Sequence, residues 1–183
     1  GNLVNASPIG DLTIFLLALN ATLTLRKSKG KTRQIPLNEF YQGYKKLDKT
    51  DDEWIESIEF PVPSENAAFN FEKVSKRTHL DIASVNSAML VETTGDDRIK
   101  SVSLSAGGIG PIPTFLRKTC AKLTNQPLTA KSVITATQEA QKEVSPISDA
   151  RGSADYKSLL LRQLIFAHFL ELFPSRFSLA ELA

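Results

Sequence analysis

The order of apolar and polar positions predicts strands and one short helix in the first third of the chain. Residues 21–25 and residues 53–60 alternate between apolar and polar side chains, which is typical of a strand with one buried face. The basic stretch around Gly30 predicts a hairpin turn, after which residues 33–37 form the returning strand. Residues 12–19 are apolar on nearly every side, which predicts a short helix that is buried on most faces.

A second set of strands, followed by helices, is predicted farther along the chain. Residues 68–74, 84–92 and 99–106 have the composition of three strands, which we expect to form an antiparallel sheet. Thr114 and Thr129 are placed to cap two helices, because a threonine hydroxyl can accept from a free backbone N–H at a helix start.

Ser153 predicts the start of a long helix that runs to about residue 173, where Pro174 ends it. Five aromatic and leucine side chains form much of its apolar stripe: Tyr156, Leu160, Leu164, Phe169 and Phe173. Strands followed by helices indicate an α+β fold in which helices cover one face of an antiparallel sheet. Residues 61–66 contain two prolines, and we therefore predict two domains, residues 1–63 and residues 64–183.

Composition excludes several classes of function. Lys and Arg number 22 and Asp and Glu number 20, so the net charge of +2 is too small to concentrate nucleic acid or an anionic membrane. We interpret the basic run at residues 26–33 as a solvated hairpin turn, since no aromatic residue interleaves with it. A single cysteine, Cys120, excludes an internal disulfide and favours a reducing, cytoplasmic location.

Generic catalytic motifs are weak in this sequence. His79 and His168 are the only histidines, and neither has a metal ligand at suitable spacing. We interpret Cys120 as a small buried apolar residue and His168 as a packed or surface residue of the last helix. The glycines of residues 107–111 do not match a dinucleotide-binding fingerprint and predict a loop turn.

Four separated stretches carry a family pattern in the same order. The first is Gly-Asn followed by Asn-Ala-Ser-Pro-Ile-Gly-Asp at residues 1–11. The second is the aromatic-Gly-Tyr-basic segment at residues 40–46, with an Ile-x-x-Ile-x-Phe-Pro motif at residues 55–61. The third spans residues 71–86, and the fourth runs from the glycine pair at 107–108 to the Asp-x-Arg-Gly-Ser-Ala-x-Tyr motif at 149–156.

Together these stretches resemble the FAD-binding subunit or domain of molybdenum hydroxylases of the xanthine dehydrogenase type. The last stretch is similar to the small carboxy-terminal domain of carbon monoxide dehydrogenase flavoproteins. The resemblance implies FAD as cofactor, with the molybdenum cofactor and 2Fe-2S clusters in partner domains or subunits. It also implies that FAD receives electrons from the clusters and passes them to NAD or another acceptor. This transfer takes place within a complex, and we expect the isolated chain to be inactive.

The resemblance also implies which residues contact FAD. Gly1 matches a position where the backbone approaches the cofactor, and Asn2 and Asn5 match amides that serve phosphate or ribityl oxygens. Asp11 matches an acidic contact, which would accept from a cofactor hydroxyl or else cap the helix, and Lys73 matches a lysine near the flavin ring. Ile55 matches an apolar wall position. Lys45, Arg77 and Asp81 are weaker candidates, for which a structural role is equally open.

Two other interpretations remain open. The chain could be a non-catalytic module that docks a flavin domain onto its partners, or the flavin module of a sister enzyme such as carbon monoxide dehydrogenase or an aromatic acyl-CoA reductase. The family's first flavin-binding loop has no counterpart here, and the chain begins with Gly1 as mid-domain sequence would. We therefore expect half of the flavin site, and part of the first sheet, to lie outside these residues.

Overall fold

The computed structural model describes residues 1–28, 30–77 and 81–182, arranged as six helices and two main sheets with a small two-stranded ladder. The helices are α1 Asp11–Ala18, α2 Leu37–Phe40, α3 Arg117–Leu123, α4 Ala130–Glu143, α5 Ala154–Leu172 and α6 Leu179–Leu182. The strands are β1 Thr22–Lys27, β2 Thr32–Pro36, β3 Tyr41–Gly43, β4 Lys46–Leu47, β5 Glu53–Glu59, β6 Ala67–Ser75, β7 Ala83–Thr93, β8 Ile99–Gly107 and β9 Thr114–Phe115. The α+β fold is confirmed.

The first sheet is antiparallel and has the order β2-β1-β5. Leu23 and Leu25 of β1 are buried and pair with β2 residues Ile35 and Arg33, so the predicted hairpin is confirmed. Arg33 of β2 links the two outer strands of this sheet, because its Nε donates to Oε1 of buried Glu53 of β5 at 2.9 Å. This guanidinium is the main reason that the pKa of Glu53 falls to about 2.

The second sheet has the order β6-β7-β8-β9. Its first three strands are the three predicted ones, and the short β9 adds a fourth. The prediction that Thr114 caps α3 is wrong, because Thr114 lies in β9 and α3 begins at Arg117 without a local side-chain cap. Glu143, at the end of α4, caps α3 instead: its carboxylate accepts from the backbone N–H groups of Lys118 and Thr119, both at 2.9 Å.

Helices α3 and α5 pack on one face of the second sheet, α4 packs against both of them, and together they bury the larger apolar core. The predicted caps of the two longer helices are confirmed, since Thr129 accepts from Ser132 N and Ser153 accepts from Tyr156 N. Tyr156 is the exception in the predicted stripe, because it lies on the exposed side of α5. The loop before α5 is held by buried Lys157, whose Nζ donates to Asp149 Oδ2 at 2.8 Å.

Helix α1 packs on the opposite face of the same sheet, against β7 and β8. Ser105 of β8 fixes it there by donating its hydroxyl to the Ile14 carbonyl at 2.7 Å. The prediction that α1 is buried on most faces is wrong, because Leu12 is 59% exposed and Phe15 is 37% exposed. The helix therefore has one buried side, formed by Thr13, Ile14, Leu17 and Ala18.

The two residues that most resemble catalytic groups have structural positions. Cys120 is buried, its Sγ lies 3.2 Å from the donating Leu104 N–H, and burial raises its pKa to about 12. His168 is fully buried, with Nε2 3.0 Å from Ser87 Oγ, and burial lowers its pKa to about 3. His79 lies outside the described residues. The described residues include no group of three or more His, Cys, Asp or Glu side chains that could hold a metal ion.

Candidate functional site

Three residues form a row across the second sheet, on the face that carries α1. In the antiparallel register, Lys73 of β6 stands opposite Asn86 of β7, and Asn86 stands opposite Gly107 of β8. Asp11, at the start of α1, lies over this row. Lys73 Nζ donates to its Oδ2 at 2.8 Å, and Asn86 Nδ2 donates to its Oδ1 at 2.6 Å.

The loop at residues 7–10 lies directly on the Gly107 end of the row. Gly108 N donates to the Pro8 carbonyl at 3.0 Å, and Asn86 Nδ2 donates to the Ile9 carbonyl at 3.2 Å. A β-carbon on Gly107 would come within 2.7 Å of the Pro8 carbonyl oxygen, a distance that real Cβ atoms do not show. The glycine pair therefore does more than form a turn: it allows two backbone segments to touch.

Asn2 is held against the first turn of α1. Thr13 Oγ1 donates to Asn2 Oδ1 at 3.0 Å, and a β-carbon on Gly10 would lie only 2.7 Å from that same oxygen. Tyr41 holds the turn at residues 1–5 in place, because its hydroxyl donates to the Leu3 carbonyl at 3.1 Å. Burial raises the pKa of Tyr41 to about 12, so its hydroxyl keeps its proton at neutral pH.

Asn5 lies at the far side of the same turn and is tied to Lys45. The Lys45 ammonium donates to the backbone carbonyl of Asn5 and also to its Oδ1, the latter at 3.2 Å. Asn5 N donates to the Gly1 carbonyl at 2.9 Å, which closes the turn. Gly1, Asn2 and Asn5 are all exposed. The surface formed by this turn and the start of α1 is therefore both shaped and accessible.

The negative charge of Asp11 at the start of α1 is balanced by the Lys73 ammonium and by the helix dipole. Gly10 occupies the N-cap position and supplies no side-chain hydrogen bond, so Asp11 does not cap the helix. Its carboxylate sits in the first turn, where the positive end of the helix dipole favours a negative charge. Lys73 is 28% exposed and Asp11 is 41% exposed, so both charged groups remain reachable from solvent.

The remaining candidates lie apart from this cluster. Ile55 is half-buried in β5 of the first sheet, where it pairs with Leu25 and packs on the smaller apolar core. Strand β5 hydrogen-bonds to β1 and not to the sheet that carries Lys73. Arg77 and Asp81 bond to one another, with Arg77 N 2.9 Å from Asp81 Oδ2. For these two residues, the structure shows a local ion pair.

Sequence reasoning missed the residues that hold the cluster together. Asn86, Gly107, Thr13 and Tyr41 carry no signal of their own, since each is an ordinary residue of a strand, a helix or a short ladder. Asn86, Tyr41 and the glycine pair did lie within the stretches that carry the family pattern, and a buried asparagine in an apolar strand needs a polar partner. That rule could have marked Asn86, although not the identity of its partner.

A cleft of about 480 Å³ opens beside the 7–10 loop. Its walls include Lys45, Gly108, Arg151 and Lys157. Its rim carries three apolar side chains that are strongly exposed: Tyr44, Ile82 and Ile147. The volume is within the range of small-molecule sites, about 300–1,000 Å³.

Two family models match most of the chain. The model for the FAD binding domain in molybdopterin dehydrogenase matches residues 1–63, and the model for the CO dehydrogenase flavoprotein C-terminal domain matches residues 70–172. Xanthine dehydrogenase from Emericella nidulans is 36% identical over 144 residues, which are 78% of this chain and 10% of that protein. Aldehyde oxidase 1 from Bos taurus is 31% identical over 174 residues, which are 93% of this chain and 13% of that protein.

The fold also matches a solved structure. Carbon monoxide dehydrogenase from Hydrogenophaga pseudoflava superposes with a TM-score of 0.87 at 22% identity, over 97% of this chain and 61% of that one. At this identity the likeness concerns the fold alone. The chain spans only about a tenth of the length of the two curated relatives and about three fifths of the matched structure.

Proposed function

Because the chain belongs to the FAD-binding flavoprotein family of the xanthine dehydrogenase-type molybdenum hydroxylases, we propose that its residues form one side of an FAD site. The observation that carries the proposal is the meeting of Asn2, Asp11 and Lys73 around the start of α1. Lys73 reaches Asp11 from a different strand, 62 residues away in sequence. Three polar side chains therefore share one exposed surface.

The chemistry of this surface fits FAD. The side-chain nitrogens (Nδ2) of Asn2 and Asn5 donate to no group among residues 1–28, 30–77 and 81–182, so both can serve phosphate or hydroxyl oxygens of a ligand. The Asp11 carboxylate retains lone pairs that can accept from a ribityl hydroxyl. Lys73 supplies a cation beside these groups. A Cβ built on Gly1 would meet nothing within 4 Å, so open space adjoins the backbone at this position.

Each residue has a distinct task in this proposal. The amides of Asn2 and Asn5 and the backbone of Gly1 bind the phosphate or ribityl part, and Asp11 orients a hydroxyl. The Lys73 ammonium stabilises negative charge on the ring, because the interaction between opposite charges is stronger in a partly desolvated site than in water. Ile55 is proposed as an apolar wall on the neighbouring sheet.

When bound, FAD supplies the carrier through which electrons from 2Fe-2S clusters in partner domains or subunits would reach NAD or another acceptor. The cleft beside the 7–10 loop supports an acceptor site near this surface. A cytoplasmic location is also part of the proposal, supported by the single buried thiol. No helix in the described part of the chain is long and apolar enough to cross a membrane.

The division into residues 1–63 and residues 64–183 is likewise proposed. It is supported by the two apolar cores, one on each face of the second sheet, and by the limits of the two family matches. The smaller core still includes Ala88 of β7. We therefore expect the two parts to stabilise one another across this interface.

One observation favours a docking role as a second candidate. Four apolar side chains on β5 and the segment that follows it are exposed: Trp54, Ile58, Phe60 and Val62. Exposed apolar side chains in a row are typical of contact surfaces.

Substrate choice is not encoded in the residues described above, since xanthine dehydrogenase and aldehyde oxidase match this chain to similar degrees. Purine oxidation is our default proposal.

The test is FAD binding by the complete native protein, measured by flavin absorbance and fluorescence. We expect stoichiometric FAD in the wild type, weaker binding in Asp11→Ala and a lowered flavin reduction potential in Lys73→Ala. The potential should fall because a nearby cation stabilises the reduced, anionic ring. Lys100→Ala is the matched control, since Lys100 also pairs with a carboxylate on this sheet, 3.0 Å from Glu92.

Lys100→Ala should leave both FAD affinity and reduction potential at their wild-type values. A wild-type protein that holds no FAD and cannot be reconstituted with it would refute the flavoprotein role and favour the docking role. Variants of Asp11 and Lys73 that behave like Lys100→Ala would refute the assignment of these two residues.

A further inference from the structure

Asn86 has a buried side chain whose two amide hydrogens point to two parts of the same segment. Its Nδ2 donates to the Asp11 carboxylate at 2.6 Å and to the Ile9 carbonyl at 3.2 Å, and the residue is fully buried. Both neighbours are oxygens that accept, so the orientation of the amide is determined by its surroundings. One side chain thus holds both the loop before α1 and the acidic residue that begins it.

The side-chain oxygen of Asn86, Oδ1, is in an energetically unfavourable environment. This oxygen is buried and accepts no hydrogen bond from the described residues. It fits only because Gly107, opposite it in the register, has no β-carbon. A buried acceptor without a partner destabilises the folded state, because it has lost its hydrogen bonds to water and gained none in return. An apolar residue would avoid that cost, so the two donated bonds are the feature that distinguishes asparagine here.

Lys73 is the direct neighbour of Asn86 on β6, and it bonds to the second oxygen of the same carboxylate. The Asp11 carboxylate is therefore clamped from two adjacent strands, one oxygen by each. If the Asn86 bond is lost, the carboxylate can rotate toward the ammonium, which would change both its direction and the geometry of its pairing with Lys73.

We propose that Asn86 is a positioning residue for the flavin site: it acts through Asp11, by fixing the direction of the carboxylate and its pairing with Lys73. This inference rests on the proposed function, because it assumes that Asp11 faces the cofactor. Asn86 itself is fully buried beneath the loop, so it presents no surface to a ligand.

The test is a double-mutant cycle on FAD affinity in the complete native protein, with apoprotein titrated by FAD and followed by fluorescence. We expect Asn86→Ala to weaken binding about tenfold or more, since a hydrogen bond to a charged group is at stake. In an Asp11→Ala background, the same substitution should change affinity by less than about twofold, because the group through which Asn86 acts is gone. Reduction potentials of the same variants give a second readout.

The matched control is Asn70→Ala, which removes a second asparagine side chain from this sheet, one that is only partly buried. Asn70 contacts His168 at 3.1 Å, on the side of α5, so its loss should not alter FAD affinity. If Asn86→Ala does not fold, Asn86→Ser provides the same comparison with a smaller change.

The outcomes separate this inference from the proposed function. A wild-type protein that takes up no FAD overturns both. A wild type that binds FAD, with Asn86→Ala unchanged, overturns only the positioning role. An equal loss of affinity in the wild-type and Asp11→Ala backgrounds also overturns it, because Asn86 would then act through general stability.

Discussion

Gly107 and Asn86 stand opposite each other on β8 and β7, so close that a β-carbon on Gly107 would lie 2.3 Å from Asn86 Oδ1. The same β-carbon would press on the Pro8 carbonyl and the Ile9 Cα. These contacts involve the backbone of the 7–10 loop and an amide that is held by two hydrogen bonds, so a side chain at residue 107 would displace the loop or that amide. The second sheet thereby determines where the start of α1 lies.

We expect Gly107→Ala to destabilise the protein and to weaken FAD binding together. Overpacking of this kind costs about 1–3 kcal/mol. The free energy of unfolding can be measured by urea denaturation. Gly110→Ala is the control, because the nearest atom to its new β-carbon would be Thr114 Oγ1 at 3.8 Å, an ordinary contact. If the two variants are equally stable, the close approach at Gly107 is not structurally important.

His168 should make stability depend on pH below neutrality. Its folded-state pKa of about 3, lowered by burial, lies far below the value of about 6.5 in an unfolded chain. Below about pH 6.5 the unfolded state therefore binds more protons than the folded state. As the pH falls through this range, the free energy of unfolding should decrease by up to about 1.4 kcal/mol per pH unit. Between pH 6.5 and 5, His168→Gln should show a clearly smaller slope than the wild type in denaturation experiments.

Asn70→Ala is a useful comparison for that experiment. It removes one neighbour of the imidazole but keeps the imidazole buried, so the wild-type pH slope should be retained. A wild-type slope in His168→Gln would show that other groups cause the pH dependence.

Cys120 should not react with thiol reagents in the folded protein. It is buried, its pKa is raised to about 12, and the reactive thiolate is therefore scarce at pH 8. Incubation with a maleimide, followed by mass spectrometry, should show an unlabelled native chain and complete labelling in urea. Rapid labelling of the native protein would contradict the buried position.

Glu143 should stabilise α3 although it belongs to α4. Its carboxylate accepts from two backbone N–H groups and from the Thr119 hydroxyl, at 2.9 Å in each case. We expect Glu143→Ala to cost about 0.5–2 kcal/mol, the usual range for a lost helix cap. Glu139→Ala should cost less than about 0.5 kcal/mol, since its contact with Lys142 is a long, partly exposed pair at 3.8 Å. Equal losses of unfolding free energy in the two variants would contradict the capping role.

The sequence by itself determined the elements whose signals are local. The hairpin around Gly30, the three long strands of the second sheet and the caps at Thr129 and Ser153 were all predicted correctly. Each depends on residues within a few positions, because side-chain alternation and cap hydrogen bonds act over one turn or one strand. The family pattern was also readable, since it consists of short motifs that follow one another along this chain in the order of the family.

Only the tertiary structure decided which distant residues meet. Nothing in the sequence indicated that Lys73 and Asn86, 62 and 75 residues away, would bind the carboxylate of Asp11. Thr114 looked like a helix cap, but the cap of α3 comes from Glu143, 24 residues beyond Thr119. Contacts at this range depend on strand register and on how helices pack against a sheet. A pattern that repeats every two or four residues contains no information about either.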